Sequence, residues 1–253
     1  IKFRNSLTLS LAETRKALKG EYVVRLKVMG GAKVNVNDEI RGNISVSTDL
    51  LDDKILLKSD GLPTYHFANV VDDKLMEITD VIRGEEWLPS LPIHKLIYDA
   101  FNWNLPRFMH LPLILKPNGK GKLSKRDGLN DGYPVIPIKF KELHLGFKER
   151  GFLPEGMVNY LALLGWNSGT ENEIFNLSDL TKYFSIRRVQ KGGARFDYEK
   201  ACWINQQHIS KSDVKSLMEQ KSVKEILEKV DEKKRINISV SYTHLTLPTN
   251  REV

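Results

Sequence analysis

The sequence contains very little cysteine and no long hydrophobic run. Cys202 is the single cysteine among 253 residues, so no disulfide can form within the chain and no multi-cysteine zinc site can be built from it. The longest apolar runs end after about five residues, whereas a membrane-spanning helix needs about 18. We therefore expect a cytoplasmic protein that does not cross a membrane. Cys202 adjoins Trp203 in an apolar helical stretch, which predicts a buried, unreactive thiol.

Charge and apolar content describe a folded, basic protein. Hydrophobic residues make up 41% of the chain and charged residues 28%, enough for a core and for solubility. Lys and Arg outnumber Asp and Glu by 39 to 32, giving a formal net charge of +7. This excess favours a polyanionic partner, although net charge alone is a weak indicator. The six histidines show no metal-ligand spacing, so no metal site is predicted within the chain.

The first half of the chain predicts a sheet with crossover connections. Period-two alternation and short apolar runs predict strands at 22–28, 44–47, 55–58, 78–82 and 108–115. Helical spacing between the last three strands predicts helices at 63–76 and 90–101. Strands that alternate with helices of this length are typical of parallel crossover units, in which ligands bind beyond the carboxyl ends of the strands.

Glycine and proline then predict a loop over 116–137, and the pattern becomes helical after it. The helices are predicted at 154–164, 177–184, 197–209 and 211–235, the last being highly charged with one apolar face. Residues 239–253 are hydroxyl-rich and resemble translated adaptor or vector sequence. We expect this tail to be non-native and the natural chain to continue as a helix from about Asn237.

The predicted loop carries the most informative motif, Lys122-Leu123-Ser124-Lys125-Arg126. It belongs to a stretch with five cations in eleven residues, from Lys116 to Arg126, that also holds two glycines. Glycines let the backbone approach a polyphosphate, and cations can neutralise the charge that grows on a leaving pyrophosphate. Most Lys and Arg runs are solvated surface loops. The position directly after the last predicted strand favours a ligand site instead.

This motif is similar to the KMSKS signature of class I aminoacyl-tRNA synthetases in its glutamate-type form, KLSKR. Further blocks resemble those of bacterial glutamate–tRNA ligases in the same order: Gly61–Asp73, Val81–Ser90, His110–Leu113 and Tyr160–Trp166. The resemblance covers about residues 5 to 210. It implies an α/β fold, namely the second half of a class I Rossmann-type catalytic domain followed by a mainly helical region that contacts the tRNA stem.

The resemblance also implies a division of the chain. Its parts would be the end of an acceptor-binding insertion at 1–55, the second half of the catalytic domain at 56–115, the KLSKR loop and stem-contact region at 116–210, the start of a helical anticodon-binding region at 211–238, and the non-native tail at 239–253. The HIGH-type signature of the family is not among these residues. We therefore expect the chain to be part of a longer enzyme, monomeric at full length, and to be inactive alone.

The implied reaction joins L-glutamate to tRNA(Glu) through glutamyl-adenylate, with ATP as substrate and Mg²⁺ neutralising the triphosphate. The residues expected to bind glutamate are Tyr65, Asn69 and Arg83. A guanidinium at a strand end can bind a carboxylate through two hydrogen bonds, although Arg83 could instead pair with Glu85 or Glu86. The residues expected near ATP are Glu86, Ile114, Lys122, Leu123, Ser124, Lys125 and Arg126. Lys125 is expected to stabilise the transition state, and Trp87 to be structural.

Three alternatives remain open. A paralogue that joins glutamate to a modified base of tRNA would share these blocks, although the tract from Leu177 to Ile209 argues against it because it resembles the approach to an anticodon-binding module. A glutamine-specific synthetase fits the blocks around Tyr65 and Arg83 less well. A non-catalytic RNA-binding remnant is compatible with the basic charge.

Overall fold

The computed structural model describes residues 8–118, 120–140, 145–212 and 217. The chain divides into two compact units, Ile1–Leu111 and Pro112–Val253, and each is described by itself. Apart from 211, 212 and 217, the helix predicted at 211–235 and the tail at 239–253 lie outside the described residues. Within the described part of the chain, no helix combines the length and apolar character that a membrane crossing requires.

A four-stranded mixed sheet organises the first unit. The strands of this unit are β1 (Val24–Arg25), β2 (Lys33–Asp38), β3 (Gly42–Ser47), β4 (Ile55–Leu57), β5 (Asp80–Gly84) and β6 (Arg107–Leu111). The helices are α1 (Leu11–Ala17), α2 (Tyr65–Leu75) and α3 (Leu91–Ala100). The sheet has the order β3-β2-β6-β5, in which β2 and β3 form an antiparallel hairpin and β6 pairs in parallel with both β2 and β5.

The predicted crossover between parallel strands is present from β5 through α3 to β6. Helix α3 buries Leu91, Ile93 and Ile97 completely or almost completely against the sheet core, as an amphipathic crossover helix must. The parallel register places Arg83 of β5 opposite His110 of β6. Two polar side chains therefore meet at the carboxyl ends of neighbouring strands, the edge at which open sheets bind ligands.

Two strand predictions in this unit are wrong in extent or partner. The strand predicted at 22–28 comprises only Val24–Arg25, because the Asp53 carboxylate accepts the hydrogen bond of the Val28 N–H at 2.9 Å and ends the ladder. The segment predicted at 55–58 as a parallel strand of the main sheet pairs antiparallel with β1 in a separate two-stranded sheet. A run of three apolar residues does not by itself distinguish these two arrangements.

The second unit is mainly helical. Its helices are α4 (Lys125–Asp131), α5 (Pro154–Leu163), α6 (Leu177–Tyr183) and α7 (Tyr198–Lys211), and its strands are β7 (Ile114–Leu115) and β8 (Ala194–Arg195), which pair in parallel. The helices predicted at 154–164, 177–184 and 197–209 are confirmed. Local signals explain their starts: Pro154 occupies the first turn of α5, and the Asn176 and Asp197 side chains cap α6 and α7.

Two further predictions are corrected in this unit. The strand predicted at 108–115 is divided between β6 and β7, with Pro112 and Leu113 between them. The loop predicted at 116–137 contains α4, which begins directly after Ser124. Gly128 lies inside this helix and is buried, and a Cβ on it would approach Val135 Cγ1 to 2.8 Å. Glycine here therefore serves close packing and is not a loop signal.

Candidate functional site

The candidate site of the first unit is centred on Arg83, near the carboxyl end of β5. Its Nη1 donates to the Tyr65 hydroxyl at 3.4 Å, and its Nε donates to His110 Nε2 at 3.1 Å. Arg83 is half-buried, while its neighbour Ile82 is 58% exposed on the other face of the strand. Glu85, one of the two carboxylates that could pair with Arg83, forms an ion pair with Arg41 at 2.5 Å.

Tyr65 is positioned by the first turn of α2. Thr64, which precedes it, is fixed on β4: its hydroxyl donates to the Ile55 carbonyl at 2.6 Å and its N–H donates to the Leu56 carbonyl at 2.8 Å. The Tyr65 ring packs against Trp87, with 4.8 Å between the centroids. The aromatic contact leaves the hydroxyl to Arg83. Trp87, predicted as structural, thus lies directly beside a predicted glutamate contact.

Asn69 and Arg83 each carry a buried polar atom without a partner. Among the described residues, neither Asn69 Oδ1 nor Arg83 Nη2 has a hydrogen-bond partner. Asn69 lies one helical turn after Tyr65 and one turn before Asp73, and both of those residues interact with Arg83. An unsatisfied buried polar atom costs about 1–3 kcal/mol, so each calls for an explanation. An acceptor and a charged donor of this kind suit a ligand with a carboxylate and an ammonium group.

The buried carboxylate of Asp38 is connected to Arg83 through His110. Asp38 Oδ2 and His110 Nδ1 are 2.7 Å apart, and both side chains are almost completely buried. Because His110 Nε2 accepts from Arg83, the proton of the neutral ring lies on Nδ1 and is donated to Asp38. Burial lowers the pKa of His110 and outweighs the opposite effect of its hydrogen bond to Asp38. The ring is therefore neutral at physiological pH.

Two further histidines lie beside Tyr65. His66 Nδ1 and His94 Nε2 are 3.1 Å apart, and the His94 ring centroid is 6.1 Å from that of Tyr65. Burial, together with the charge of Arg83, lowers the pKa of His94 to about 3. Burial also lowers the pKa of His66. Both rings are therefore neutral, and the positive charge of Arg83 contributes to lowering both pKa values.

Glu86, predicted near ATP, folds back over Gly84. A Cβ built on Gly84 would lie 2.7 Å from the carboxylate carbon of Glu86. The backbone of Gly84 is extended, with φ −69° and ψ 149°, so its conformation would accept a side chain, and such a side chain would meet the flexible end of Glu86.

The KLSKR motif of the second unit forms a short antiparallel return followed by a helix start. The Leu123 N–H donates to the Ile114 carbonyl at 2.8 Å, and the Lys116 N–H donates to the Gly121 carbonyl at 3.1 Å. Lys122 bridges to Leu115 in the same ladder. Leu123 packs against the second core, which anchors the motif. Ile114, also predicted near ATP, is 36% exposed and contributes its carbonyl to this turn.

Ser124 begins α4 with a capping box. Its hydroxyl accepts from the Asp127 N–H at 3.4 Å, and the Asp127 carboxylate accepts from the Ser124 N–H at 2.8 Å. Asp127 also pairs with Lys116 at 2.7 Å. Hydrogen bonds from Lys116 and Ser124 lower the pKa of Asp127 to about 2, so the carboxylate is ionised throughout the physiological range. The cap and the ion pair together fix the point from which Lys125 and Arg126 project.

Lys125 and Arg126 occupy the first turn of α4 and are exposed. Lys125 Nζ lies 5.5 Å from the centroid of the Phe140 ring, a cation–π contact that leaves the ammonium accessible. Lys122 is exposed as well. Cations held on a capped helix start can neutralise phosphate oxygens without a large rearrangement. All three cations of this short segment are therefore exposed.

Comparison with known proteins decides the family. A family model described as the catalytic domain of class I tRNA synthetases (E and Q) matches residues 3–203. The chain belongs to this family. Its predicted fold class, α/β with the parallel pairing of a class I synthetase catalytic domain, is confirmed.

Several relatives of this class I synthetase chain are glutamate–tRNA ligases. It is 53% identical over 248 residues to the one from Christiangramia forsetii, covering 95% of this chain and 48% of that protein. It is 53% identical over 232 residues to the one from Flavobacterium johnsoniae, covering 90% and 46%. The crystal structure of a glutamate tRNA ligase from Elizabethkingia meningosepticum in complex with its amino acid has a TM-score of 0.87 and 44% identity, covering 96% of this chain and 50% of that one. The chain thus spans about half the length of the relatives it matches.

The sequence of this synthetase chain does not by itself identify Asp38, Arg41 or His110 as site residues. Asp38 is the last residue of β2 and reaches His110 across 72 positions of sequence. His110 belongs to a block that carries the family resemblance, but a single histidine is most often structural. One signal was available: Asp38 is a carboxylate on the apolar face of an alternating strand, where a charge needs a partner.

Proposed function

We propose that the protein to which this chain belongs joins L-glutamate to tRNA(Glu) at the expense of ATP. The observation that carries the proposal is the pair of unpartnered buried atoms, Arg83 Nη2 and Asn69 Oδ1, beside the Tyr65 hydroxyl. They offer a donor to a carboxylate and an acceptor to an ammonium group, the two ionised groups of an amino acid. The names of the relatives agree with this substrate.

The reaction would proceed in two steps. The α-carboxylate of glutamate attacks the α-phosphorus of ATP, forming glutamyl-adenylate and releasing pyrophosphate. A hydroxyl of the terminal ribose of the tRNA then takes the glutamyl group and AMP leaves. In the first unit, Arg83, Tyr65 and Asn69 would hold glutamate. Positioning and charge neutralisation would supply most of the catalysis, because glutamate and the tRNA themselves carry the attacking groups.

The residues proposed to bind ATP contribute polar contacts and positive charge. They are Glu86 in the first unit and Ile114, Lys122, Leu123, Ser124, Lys125 and Arg126 in the second. Lys125 would neutralise the charge that develops on the leaving pyrophosphate. Mg²⁺ would arrive as the complex of ATP and neutralise part of the triphosphate charge. We further propose that the full-length protein is a monomer and works in the cytoplasm.

The test is aminoacylation by the complete gene product with radiolabelled glutamate, ATP and tRNA. We expect label to enter tRNA only when ATP is present, and to be absent when the tRNA lacks its 3′-terminal adenosine. Label that still enters such a shortened tRNA would indicate attachment to a modified base and favour the paralogue. Binding of tRNA without any labelling would favour the RNA-binding remnant. Labelling by glutamine in place of glutamate would contradict the assigned substrate.

The role of Glu86 gives a separate prediction through Gly84. Changing Gly84→Ala is expected to push the Glu86 carboxylate away while leaving the fold intact, since the backbone of Gly84 is extended. The KM for ATP should rise about three- to tenfold, the loss expected for one polar contact. The KM for glutamate should stay within about twofold. Steady-state aminoacylation with each substrate varied in turn measures both constants, and an unchanged KM for ATP would contradict the role of Glu86.

A further inference from the structure

We propose that Asp38 and His110 are positioning residues for the amino-acid substrate. Asp38 fixes the tautomer of His110, and His110 fixes the guanidinium of Arg83 so that Nη2 is left for the substrate. The inference rests on the proposed function, in which Arg83 binds glutamate. Neither residue would touch the substrate, because each acts through the next in the chain of hydrogen bonds from Asp38 to His110 to Arg83.

Asp38, the inner end of this series of hydrogen bonds, is held rigidly. Asp38 is 1% exposed and accepts hydrogen bonds from the N–H groups of Ile40, Arg41 and His110 as well as from the His110 ring. Asp38 lies in β2, which pairs in parallel with β6 through Asp38 and Phe108. Burial alone would raise the pKa of Asp38, but these hydrogen bonds outweigh it and hold the pKa below its usual value. The carboxylate is therefore ionised and its oxygens are fixed in direction.

His110, in the middle of this series of hydrogen bonds, has one nitrogen that must donate and one that must accept. An ionised Asp38 accepts, so His110 Nδ1 must donate and its Nε2 must be the acceptor. Nε2 then receives the Arg83 Nε–H at 3.1 Å. The backbone of His110 is fixed independently, because its N–H donates to Asp38 and its carbonyl accepts from Arg41 Nε at 3.2 Å. The ring has neither rotational nor tautomeric freedom.

The outer end sets the orientation of the guanidinium. With Nε held by His110 and Nη1 directed to the Tyr65 hydroxyl, the plane of the Arg83 side chain is determined by two contacts on different elements. Nη2 is the atom that remains, buried and without a partner among the described residues. Holding a charged group in place before the ligand arrives reduces the entropy lost on binding. Loss of the hydrogen bonds from Asp38 to His110 to Arg83 should therefore weaken glutamate binding more than it changes the chemical step.

Two isosteric substitutions at His110 separate positioning from structural support. An Asn amide occupies the place of Nδ1 and can still donate to Asp38, but it has no atom at the place of Nε2. A Gln amide reaches the place of Nε2 and can accept from Arg83, but it no longer donates to Asp38. If positioning of Arg83 matters, His110→Asn is the damaging change and His110→Gln restores function. If the role is only structural, His110→Gln is the more damaging change, because it leaves a buried carboxylate short of a donor.

The experiment measures KM and kcat for aminoacylation by the complete gene product, together with the thermal midpoint of each variant. For His110→Asn we expect the KM for glutamate to rise about tenfold, as for the loss of one charge-assisted hydrogen bond. The kcat and the KM for ATP should change by less than about twofold, the pattern of lost ground-state binding. His110→Gln should lie within about threefold of the unsubstituted protein. Equal glutamate KM values in His110→Asn and the unsubstituted protein would overturn the proposal.

The variant Asp38→Asn tests the positioning role if His110→Asn does not fold. The Asn amide donates toward His110 Nδ1, which moves the ring proton to Nε2 and sets it against the Arg83 Nε–H. The KM for glutamate should again rise about tenfold, and an unchanged value would overturn the proposal. Arg83→Gln keeps this inference separate from the function on which it rests. If that change leaves glutamate binding intact, the proposed function fails; if it abolishes binding while the Asp38 and His110 variants bind normally, only the positioning role fails.

Discussion

Replacing Arg83 by Gln is expected to raise the KM for glutamate by about 100-fold or more. The change removes the charge that would pair with a substrate carboxylate and leaves that carboxylate in a half-buried site without a cation, a loss of about 2–5 kcal/mol for pairs of this kind. His66, His94 and His110 cannot compensate, because burial holds all three rings neutral. The measurement is initial-rate aminoacylation by the complete gene product with glutamate varied at saturating ATP and tRNA.

Arg107→Gln is the matched control for this change. Arg107 begins β6, next to β5 in the same sheet, and its side chain, which is 65% exposed, pairs with the less exposed Asp80 at 2.6 Å. The substitution removes the same charge from the same sheet, and an ion pair with a solvent-exposed partner contributes little to stability. We expect glutamate KM to stay within about twofold of the unsubstituted protein. Similar glutamate KM values in the two variants would contradict a specific role for Arg83.

Replacing Lys125 by Met is expected to lower kcat by about 100- to 1000-fold, the usual effect of removing a preorganised group that stabilises transition-state charge. Met has a similar length and retains the apolar part of the side chain, so packing near Phe140 should survive. The KM for ATP should change much less than kcat, because the charge on the leaving pyrophosphate develops only as the bond breaks. Single-turnover formation of adenylate in the presence of tRNA measures this step directly.

Lys182→Met provides the comparison for Lys125. Lys182 is an exposed lysine on α6 whose ammonium lies 5.4 Å from the centroid of the Tyr183 ring, so it loses a cation–π contact like that of Lys125. Its substitution should leave kcat within about twofold. If the two variants lose activity equally, positive charge in this unit acts generally and the specific role of Lys125 is wrong.

The elements that could be predicted from the sequence are those with strong local signals. The crossover from β5 through α3 to β6 and the helices α5, α6 and α7 have long apolar periodicity or capping residues, and all are present. The pairing of Ile55–Leu57 with Val24–Arg25 could not be predicted, because the choice of strand partner depends on Asp53 and on packing far away in sequence. The loop predicted around Gly128 is wrong, because the small size of this residue allows α4 to pack closely against Val135.

The candidate site divides in the same way. Family resemblance alone predicts the site residues Tyr65, Asn69 and Arg83 and those of the KLSKR motif, since neither periodicity nor composition distinguishes them from core or surface residues. Their surroundings did not follow from resemblance. The contact from Asp38 to His110 and Arg83 joins three strands, and only the sheet register brings these side chains together. The ion pair of Arg41 with Glu85 likewise joins residues that lie 44 positions apart in sequence.

The central claim is that Arg83 and Asn69 hold the glutamate substrate, and a crystal structure of the complete gene product with L-glutamate tests it most directly. We predict that a carboxylate oxygen of the bound amino acid accepts a hydrogen bond from Arg83 Nη2 and that its ammonium group donates to Asn69 Oδ1. His110 Nε2 should remain on Arg83 Nε in the same structure. Glutamate bound elsewhere in the protein, with no contact to either Arg83 Nη2 or Asn69 Oδ1, would contradict the account.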